Sequence, residues 1–362
     1  MSRKAAFLRA SAALGVALSF GQAQARVVKF IVEQTRTFAD GTSFGSVGQY
    51  QRLDGRAYFE VDPFDPLNAN IVGLGEAPRN ERGMVAFDSP FFILKPADVA
   101  RGNGKIFYVI NNRGNKQALG YFNYSQAGND PITAADAGDG YLMRLGYTLV
   151  DAGWQGDVAP GDNRLTPNFP VSNNPGAYIR IEYTDRTIPA QGTFSMPLEG
   201  DPSFVSYETD DTDPSHYTFT IREDVFAPKI PIASDRWAFG TCPTGQTSLV
   251  PTNSDICLFD GFRPDRLYEL IYWAVNPKVM GLAYVVTRDI GSFLRYQTRD
   301  DSGNPNPLAL RDDFVGISRS YSFGGSSTGM YQREFLYQGF NEDESHRKVF
   351  DASWVHKAGT HR

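Results

Sequence analysis

Two kinds of hydrophobic pattern occur in the first half of the chain. In residues 27–32 and 56–61, apolar and polar side chains alternate between turns rich in Gly and Ser, which predicts strands with one buried face. Residues 105–110 and 147–151 are instead continuously apolar, as in strands that a sheet buries on both faces. Between these two runs, the spacing in residues 139–145 predicts a short helix.

In the last part of the chain the apolar positions take helical spacing. The pattern predicts helices over residues 265–275, 280–296 and 330–339, and strands over residues 320–323 and 350–355. Strands that alternate with helices are typical of a parallel sheet. The sequence therefore predicts an α/β fold with a mainly parallel sheet and a β-rich N-terminal part.

Residues 158–235 interrupt this order with a segment rich in Pro, Asn, Asp and Thr. We interpret this segment as an insertion with strands at residues 177–183 and 216–222. Its acidic stretch, residues 208–213, invites comparison with a calcium-binding loop, but it lacks the glycine and the distal glutamate of an EF-hand. A solvated surface loop is the preferred interpretation, and we predict no metal site.

The composition excludes several classes of protein. The chain of 362 residues is 41% hydrophobic, which is enough for a sizeable core. Lys and Arg number 35 against 41 Asp and Glu, and no basic cluster is present, so nucleic-acid binding is not expected. The sequence has no P-loop and no dinucleotide-binding fingerprint, so we predict no cofactor.

The first residues have the pattern of a targeting segment. Basic residues near the start precede an apolar run (residues 10–20) and a small-residue cleavage site (residues 23–25). The apolar run is too short to span a bilayer, so we predict no stable membrane span. We predict a cleavable signal peptide over residues 1–25 and a bacterial protein that is periplasmic or secreted. A buried N-terminal helix is the alternative.

Export would determine the expected redox state of the two cysteines, Cys242 and Cys257. In an oxidising compartment they are expected to form a disulfide, which would stabilise the protein by about 3 kcal/mol. Two free thiols are the alternative.

The clearest chemical signal is residues 324–329, Gly-Gly-Ser-Ser-Thr-Gly, between a predicted strand and a predicted helix. A nucleophile elbow places a serine on a strained strand-to-helix turn, where small neighbours let the two backbones approach. The motif G-x-S-x-G places Ser327 at its centre. The alternative register makes Ser326 the central serine, with Thr328 in place of the second glycine.

These residues and those around them resemble a family of secreted, largely uncharacterised bacterial alpha/beta hydrolases, distantly similar to glucuronoyl esterases. The family elbow reads G-x-S-Q-S-G-R, followed by a Phe-rich helix and G-F-N-x-D-E. Alignment on the following helix favours Ser326 as the nucleophile. Ser327 replaces the family glutamine, and Met330 replaces an arginine, which leaves the substrate class open. The matching positions are 112–115, 153–157, 257–258, 261–262, 288–289, 292–296, 324–330, 333, 335–337, 339–344, 347, 349–351, 356 and 358–359.

The resemblance implies an alpha/beta-hydrolase domain over residues 26–362 that hydrolyses carboxylic esters. The substrate would be a small-molecule ester or one linked to carbohydrate. The backbone N–H of Ser327 would bind the oxyanion. The loop of Asn112, Arg113 and Gly114 would supply the second donor, or is an ordinary turn that ends a strand.

The remaining triad members are harder to assign. In this fold the order is Ser, acid, His, with the His after the last strand. His356 is the candidate base, with a structural histidine as the alternative, and Asp351 is expected at the wrong end of its strand. Because the family continues beyond this point, we expect a C-terminally truncated hydrolase without its last strands and with impaired activity. The alternative is a catalytically inactive binding or remnant protein of the bacterial envelope. The sequence does not define an oligomeric state.

Overall fold

The computed structural model describes residues 26–359, in which a mixed β-sheet is covered by helices on both faces. The described part has 14 strands and four α-helices. The strands are β1 (Arg26–Thr37), β2 (Tyr50–Val61), β3 (Val85–Pro96), β4 (Lys105–Val109), β5 (Thr148–Ala152), β6 (Gly176–Tyr183), β7 (Thr193–Pro197), β8 (Thr218–Arg222), β9 (Ile230–Pro231), β10 (Trp237–Phe239), β11 (Asp255–Phe262), β12 (Leu267–Val275), β13 (Arg319–Gly325) and β14 (Ala352–His356). The helices are α1 (Ala118–Asn123), α2 (Tyr141–Arg144), α3 (Leu282–Tyr296) and α4 (Ser327–Tyr337).

The main sheet has seven strands in the order β1-β2-β3-β5-β4-β13-β14. The strands β5, β4, β13 and β14 are parallel to one another, whereas β1, β2 and β3 pair antiparallel. The prediction of a mainly parallel sheet is therefore wrong, and the sheet is mixed. The reason is that the N-terminal strands follow one another without a crossover helix, which gives antiparallel pairs, and that they join the same sheet.

Two hydrophobic clusters cover the faces of this sheet. On one face α3 and α4 pack against side chains such as Tyr108 and Val150. On the other face α1 and α2 pack against neighbours such as Val109 and Leu149. Adjacent residues of β4 and β5 thus face opposite sides, which confirms that these apolar runs are strands buried on both faces.

One predicted helix is wrong. Most of the segment predicted as a helix over residues 265–275 is instead the strand β12 (Leu267–Val275), which lies between β6 and β8. The side chains of Tyr268, Leu270, Tyr272 and Ala274 alternate along it and are buried in a third cluster. The same segment also fits helical spacing, and the aromatic residues together with pairing on both edges favour the strand. The predicted helix over residues 280–296 is confirmed as α3.

Residues 176–275 contribute all the strands of two antiparallel sheets, β6-β12-β8-β9 and β10-β11-β7. A disulfide joins Cys242 to Cys257, with a Cα–Cα distance of 5.6 Å, as the sequence predicts. It ties the segment after β10 to the middle of β11, so it closes a loop within this antiparallel part.

Within residues 26–359, no helix is long and apolar enough to cross a membrane. The predicted signal peptide, residues 1–25, lies outside the described residues.

Candidate active site

The order in which successive strands are placed in the sheet reverses at β4. From β4 it continues to β5 on one side, whereas the later strands β13 and β14 lie on the other side of β4. These four strands are parallel, so their carboxyl ends meet at one edge of the sheet. Open α/β sheets bind ligands in the crevice at such a reversal point. The loop after β4 and the turn after β13 therefore define the candidate site.

Ser326 occupies the turn between the last residue of β13 and the first residue of α4. Its backbone has φ 61° and ψ −125°, a region that residues other than glycine rarely adopt. Its N–H donates a hydrogen bond of 2.9 Å to the carbonyl oxygen of His356, which fixes the turn against β14. Its side chain is exposed and makes no capping bond to the helix. The strained residue therefore presents its hydroxyl to solvent.

Two glycines permit the close approach of strand and helix at this turn. A Cβ atom on Gly324 would lie 2.4 Å from the carbonyl oxygen of Thr328, and one on Gly329 would lie 2.6 Å from that of His356. Such distances are shorter than any van der Waals contact, so both positions require glycine. The strained backbone thus falls at Ser326, the middle of Gly324-Gly325-Ser326-Ser327-Thr328.

Ser327 is the first residue of α4, and its side chain is also exposed. The N–H groups in the first turn of a helix have no partner within the helix and carry partial positive charge. The Ser327 hydroxyl donates to Oδ1 of Asn112 at 3.3 Å, which brings the loop after β4 into contact with the elbow. The structure thus brings Ser326, Ser327 and Asn112 together.

The loop after β4 has a left-handed backbone at Arg113 (φ 54°) and at Gly114 (φ 72°). The N–H of Arg113 donates a hydrogen bond of 2.6 Å to Oε1 of Gln155, in the loop after β5. That backbone donor is therefore already engaged. Gln155 lies in residues 153–157, one of the segments that match the family pattern. Its contact with Arg113 joins two separate loops, so no spacing in the sequence predicts it.

The Arg113 side chain connects this loop to the antiparallel part of the protein. Its Nε atom donates to Oδ2 of Asp201 at 3.1 Å, and its guanidinium lies 5.4 Å from the ring centroid of Phe204. Its Nη1 atom donates to Oδ1 of Asn112 at 3.1 Å. The residues before β8 therefore help to hold the loop beside the elbow.

His356 ends β14 next to the elbow and is half-buried. Its ring lies over Phe323, with 6.3 Å between the ring centroids, and its Cδ2 atom is 3.9 Å from the Cβ position of Gly325. Within residues 26–359, the structure gives its imidazole no hydrogen bond to Ser326 or to a carboxylate. Asp351 lies at the start of the same strand, where it accepts from the N–H of Ser320 and pairs with Arg295. It is at the other end of the strand from Ser326.

A buried carboxyl lies behind the site on β5. The Asp151 side chain is fully buried, and neither of its oxygens has a hydrogen-bond partner in the described part of the chain. Burial raises its pKa to about 8, and the nearby Lys116 ammonium opposes that rise. Burial, with the charge of Arg52, lowers the pKa of Lys116 to about 8. Sequence reasoning missed both residues because their pKa values depend on burial.

Tyr121 is a further residue that the sequence did not single out. It lies on α1, and its hydroxyl is 3.6 Å from the Cβ position of Gly325, the residue before the elbow serine. Its ring packs against Phe323 at 5.3 Å between centroids, and about half of the side chain is exposed. A polar group can therefore reach the elbow from this side.

Within residues 26–359, no group of three or more His, Cys, Asp or Glu side chains is arranged to hold a metal ion. The acidic stretch at residues 208–213 instead bonds internally, and His216 contacts Asp211. Contacts within this stretch and with His216 therefore account for its acidic side chains at Asp211 and Asp213.

Comparison with known proteins adds one match. Residues 232–362 match a family model described as an alpha/beta hydrolase domain. The matched segment contains α3, the elbow, α4 and β14. The match supports a hydrolase in general. No curated protein and no solved structure matches the chain significantly.

Proposed function

We propose that the protein is a secreted serine hydrolase of carboxylic esters, with Ser326 as its nucleophile. The observation that carries the proposal is the backbone of Ser326, with φ 61° in an exposed serine between a strand and a helix. Strain of this kind costs about 1–3 kcal/mol and clusters at functional sites. The alpha/beta hydrolase match over the same residues supports the proposal.

In the proposed reaction, Oγ of Ser326 bonds to the ester carbonyl carbon while its proton passes to a base. The carbonyl oxygen becomes an oxyanion, which the N–H of Ser327 and the positive end of α4 stabilise. The alcohol then leaves with the proton from the base. Water hydrolyses the acyl-enzyme by the same steps and regenerates the serine.

The second oxyanion donor is proposed to be the side chain of Asn112 or the backbone of Gly114. The Arg113 N–H is already bonded to Gln155, so it is a poor candidate. Oδ1 of Asn112 accepts from both Arg113 and Ser327, which fixes the amide plane. Among residues 26–359, Nδ2 of Asn112 donates to no acceptor, so this N–H₂ group is free to bind an oxyanion.

His356 is the proposed base among the described residues, because it lies at the carboxyl end of the strand beside the elbow. Its contact with Ser326 runs through the backbone, so the imidazole must turn toward Oγ when substrate binds. Catalytic hydrogen bonds are often long or misaligned in unliganded enzymes. Replacing His356 by Gln should reduce turnover and leave the fold intact.

A fluorophosphonate probe tests the nucleophile directly, since an activated serine displaces fluoride and keeps the phosphonyl group on Oγ. We expect peptide mass spectrometry to locate the label on Ser326. Ser326→Ala should abolish labelling, and the matched variant Ser327→Ala should retain it. Absence of label on folded wild-type protein, or label that persists in Ser326→Ala, would overturn the proposal.

Secretion is supported by the disulfide, because such bonds persist mainly in oxidising compartments. The predicted signal peptide is tested by expressing the full chain in a bacterium with a periplasm. The protein recovered from the periplasm should begin at residue 26. Full-length protein confined to the cytoplasm would contradict the proposal.

A second candidate function is a binding or remnant protein without turnover. It is favoured by the observation that, within residues 26–359, no histidine side chain bonds to Ser326. In that case a ligand should bind equally well to wild type and to Ser326→Ala, and no ester should be hydrolysed. The labelling experiment separates the two functions.

A further inference from the structure

The elbow has a small space beside Gly325, the residue before Ser326, because a glycine has no side chain. A Cβ atom at this position would lie 3.6 Å from the hydroxyl of Tyr121, 3.6 Å from Cζ of Phe323 and 3.9 Å from Cδ2 of His356. These distances are ordinary van der Waals contacts, so the space holds one atom. The hydroxyl of Tyr121 and the ring of His356 therefore border the same space.

Packing fixes the direction of the Tyr121 side chain. Its ring lies 5.3 Å from that of Phe323 and 6.4 Å from that of Phe122, measured between centroids. Its backbone N–H donates to the carbonyl oxygen of Gln117 at 3.0 Å. Among residues 26–359 its hydroxyl has no hydrogen-bond partner, and a phenol oxygen both donates and accepts. The hydroxyl is therefore available to another group at the elbow.

The proposed base lacks the partner that orients a catalytic imidazole. In a catalytic triad, an acceptor at Nδ1 holds the histidine in the tautomer whose Nε2 takes the serine proton, and it stabilises the imidazolium. Asp351 lies at the other end of the strand that carries His356, and it pairs with Arg295. At the space beside the elbow, the available acceptor is the hydroxyl of Tyr121.

A half-turn of the imidazole brings its Nδ1 atom to this space. Rotation by 180° about the Cβ–Cγ bond of His356 exchanges the places of Cδ2 and Nδ1. Because the ring is only half-buried, its packing permits such a turn. Nδ1–H then faces the oxygen of Tyr121, either directly or through one water molecule in the space beside Gly325. Nε2 stays free for the proton of Ser326.

We propose that Tyr121 is the positioning residue of the base, with its hydroxyl oxygen accepting a hydrogen bond from Nδ1–H of His356. This inference rests on the proposed function, because it assigns a partner to the proposed base. When Oγ of Ser326 bonds to the ester carbonyl carbon, Nε2 of His356 takes the serine proton. Nδ1 keeps its own proton, so no proton passes to the tyrosine. The phenol oxygen stabilises the positive charge of the imidazolium.

Removal of one hydroxyl tests this contact. Tyr121→Phe keeps the ring that packs against Phe323, so the fold should be retained. Because the lost hydrogen bond is to a group that becomes charged during the reaction, kcat for 4-nitrophenyl acetate should fall about 10- to 100-fold, with KM within about twofold. Tyr124→Phe is the matched control, since Tyr124 follows α1 directly and is 86% exposed. An unchanged kcat in Tyr121→Phe, or an equal loss in the control, would overturn the inference.

A double variant shows whether Tyr121 acts through His356. His356→Gln removes the base, so a residue that only orients the base should have no effect in its absence. We expect Tyr121→Phe to lower kcat in the wild-type protein and to leave the residual rate of His356→Gln within about twofold. A tyrosine that merely supports the fold would lower both rates by the same factor. That result would reject the positioning role.

A spectroscopic measurement separates this inference from the proposed function. The ¹⁵N chemical shifts of a neutral imidazole report which nitrogen carries the proton, and His356→Gln assigns the signal among the four histidines of the chain. We expect the proton on Nδ1 in the wild-type protein and its transfer toward Nε2 in Tyr121→Phe. This change without ester hydrolysis or labelling of Ser326 would support the contact and reject the hydrolase. Hydrolysis with the same tautomer in both proteins would reject the contact alone.

Discussion

The carboxyl edge of the sheet and the packing surface of α3 each contain buried carboxyl groups, which among the described residues are hydrogen-bonded beside α3 and unpaired at the edge. At the edge, Ser326 is exposed on a strained backbone, whereas Asp151 is buried and has no hydrogen-bond partner in the described part of the chain. Beside α3, the buried Arg288 pairs with Asp289 at 2.7 Å and with Glu344 at 3.3 Å. Buried polar groups are normally satisfied, and exceptions call for an explanation. The comparison supports the proposal that the reaction takes place at the edge, whereas the α3 network has the satisfied contacts of a structural element.

The α3 network also explains part of the family resemblance. Arg288, Asp289 and Glu344 belong to the matching segments, and Asn68 joins them by donating to Glu344 and accepting from Arg288. These residues connect α3 to the chain after α4 and to the loop after β2. Their contacts are with one another, so their presence in the family pattern is accounted for by packing.

The largest expected effect is on turnover at the edge. Ser326→Gly removes the proposed nucleophile, so kcat should fall by about 10⁴-fold or more. Glycine adopts positive φ without strain, so the free energy of unfolding should stay the same or rise by up to about 1 kcal/mol. Ester hydrolysis and urea denaturation measure the two quantities. A variant that keeps its activity would contradict the proposed role of Ser326.

The next effect is on stability at α3. Arg288→Met leaves two buried carboxylates without their cation, which should cost about 3–5 kcal/mol of unfolding free energy. Arg299→Met is the matched control, since Arg299 and Asp312 form an exposed pair whose loss should cost less than about 1 kcal/mol. Equal losses of unfolding free energy in the two variants would show that the buried network stabilises the protein no more than an exposed ion pair does. Activity per folded molecule should be unchanged in both.

A smaller effect tests the contact between β13 and α4. Gly329→Ala places a methyl group 2.6 Å from the His356 carbonyl oxygen, so the helix must shift, at about 1–3 kcal/mol. Because Ser326 lies in the same turn, kcat should fall as well. Gly75→Ala, where the methyl group meets no atom of residues 26–359 within 4 Å, should change neither stability nor kcat. A stable and fully active Gly329→Ala would mean that the tight turn is not required.

Sequence reasoning succeeded where a feature is local. The elbow lies where Gly and Ser residues separate a strand from a helix, and the two cysteines form the expected disulfide. It failed at β12, whose residues fit both a helix and a strand, because pairing with β6 and β8 decides between them. It could not find the bond from Arg113 to Gln155 or the position of Tyr121, since both are contacts between separate loops.

The last prediction concerns the unpaired carboxyl at the edge. In the folded protein the pKa of Asp151 is about 8, whereas in the unfolded chain it is near 4. Between these two pH values the folded state therefore keeps the proton that the unfolded chain has lost. The folded state therefore binds more protons, and stability falls as pH rises from about 4 to 8, by up to about 1.4 kcal/mol per pH unit from this group. Asp151→Asn should remove that slope in urea denaturation between pH 5 and 8.

Asp351→Asn is the control. Burial would raise the pKa of Asp351, but hydrogen bonding with Ser320 and the pairing with Arg295 outweigh burial and lower it. The contribution of Asp351 to stability is therefore lost only in acid. If the slope persists in Asp151→Asn, Asp151 is ionised in the folded protein, and the contrast with the paired carboxylates beside α3 does not hold.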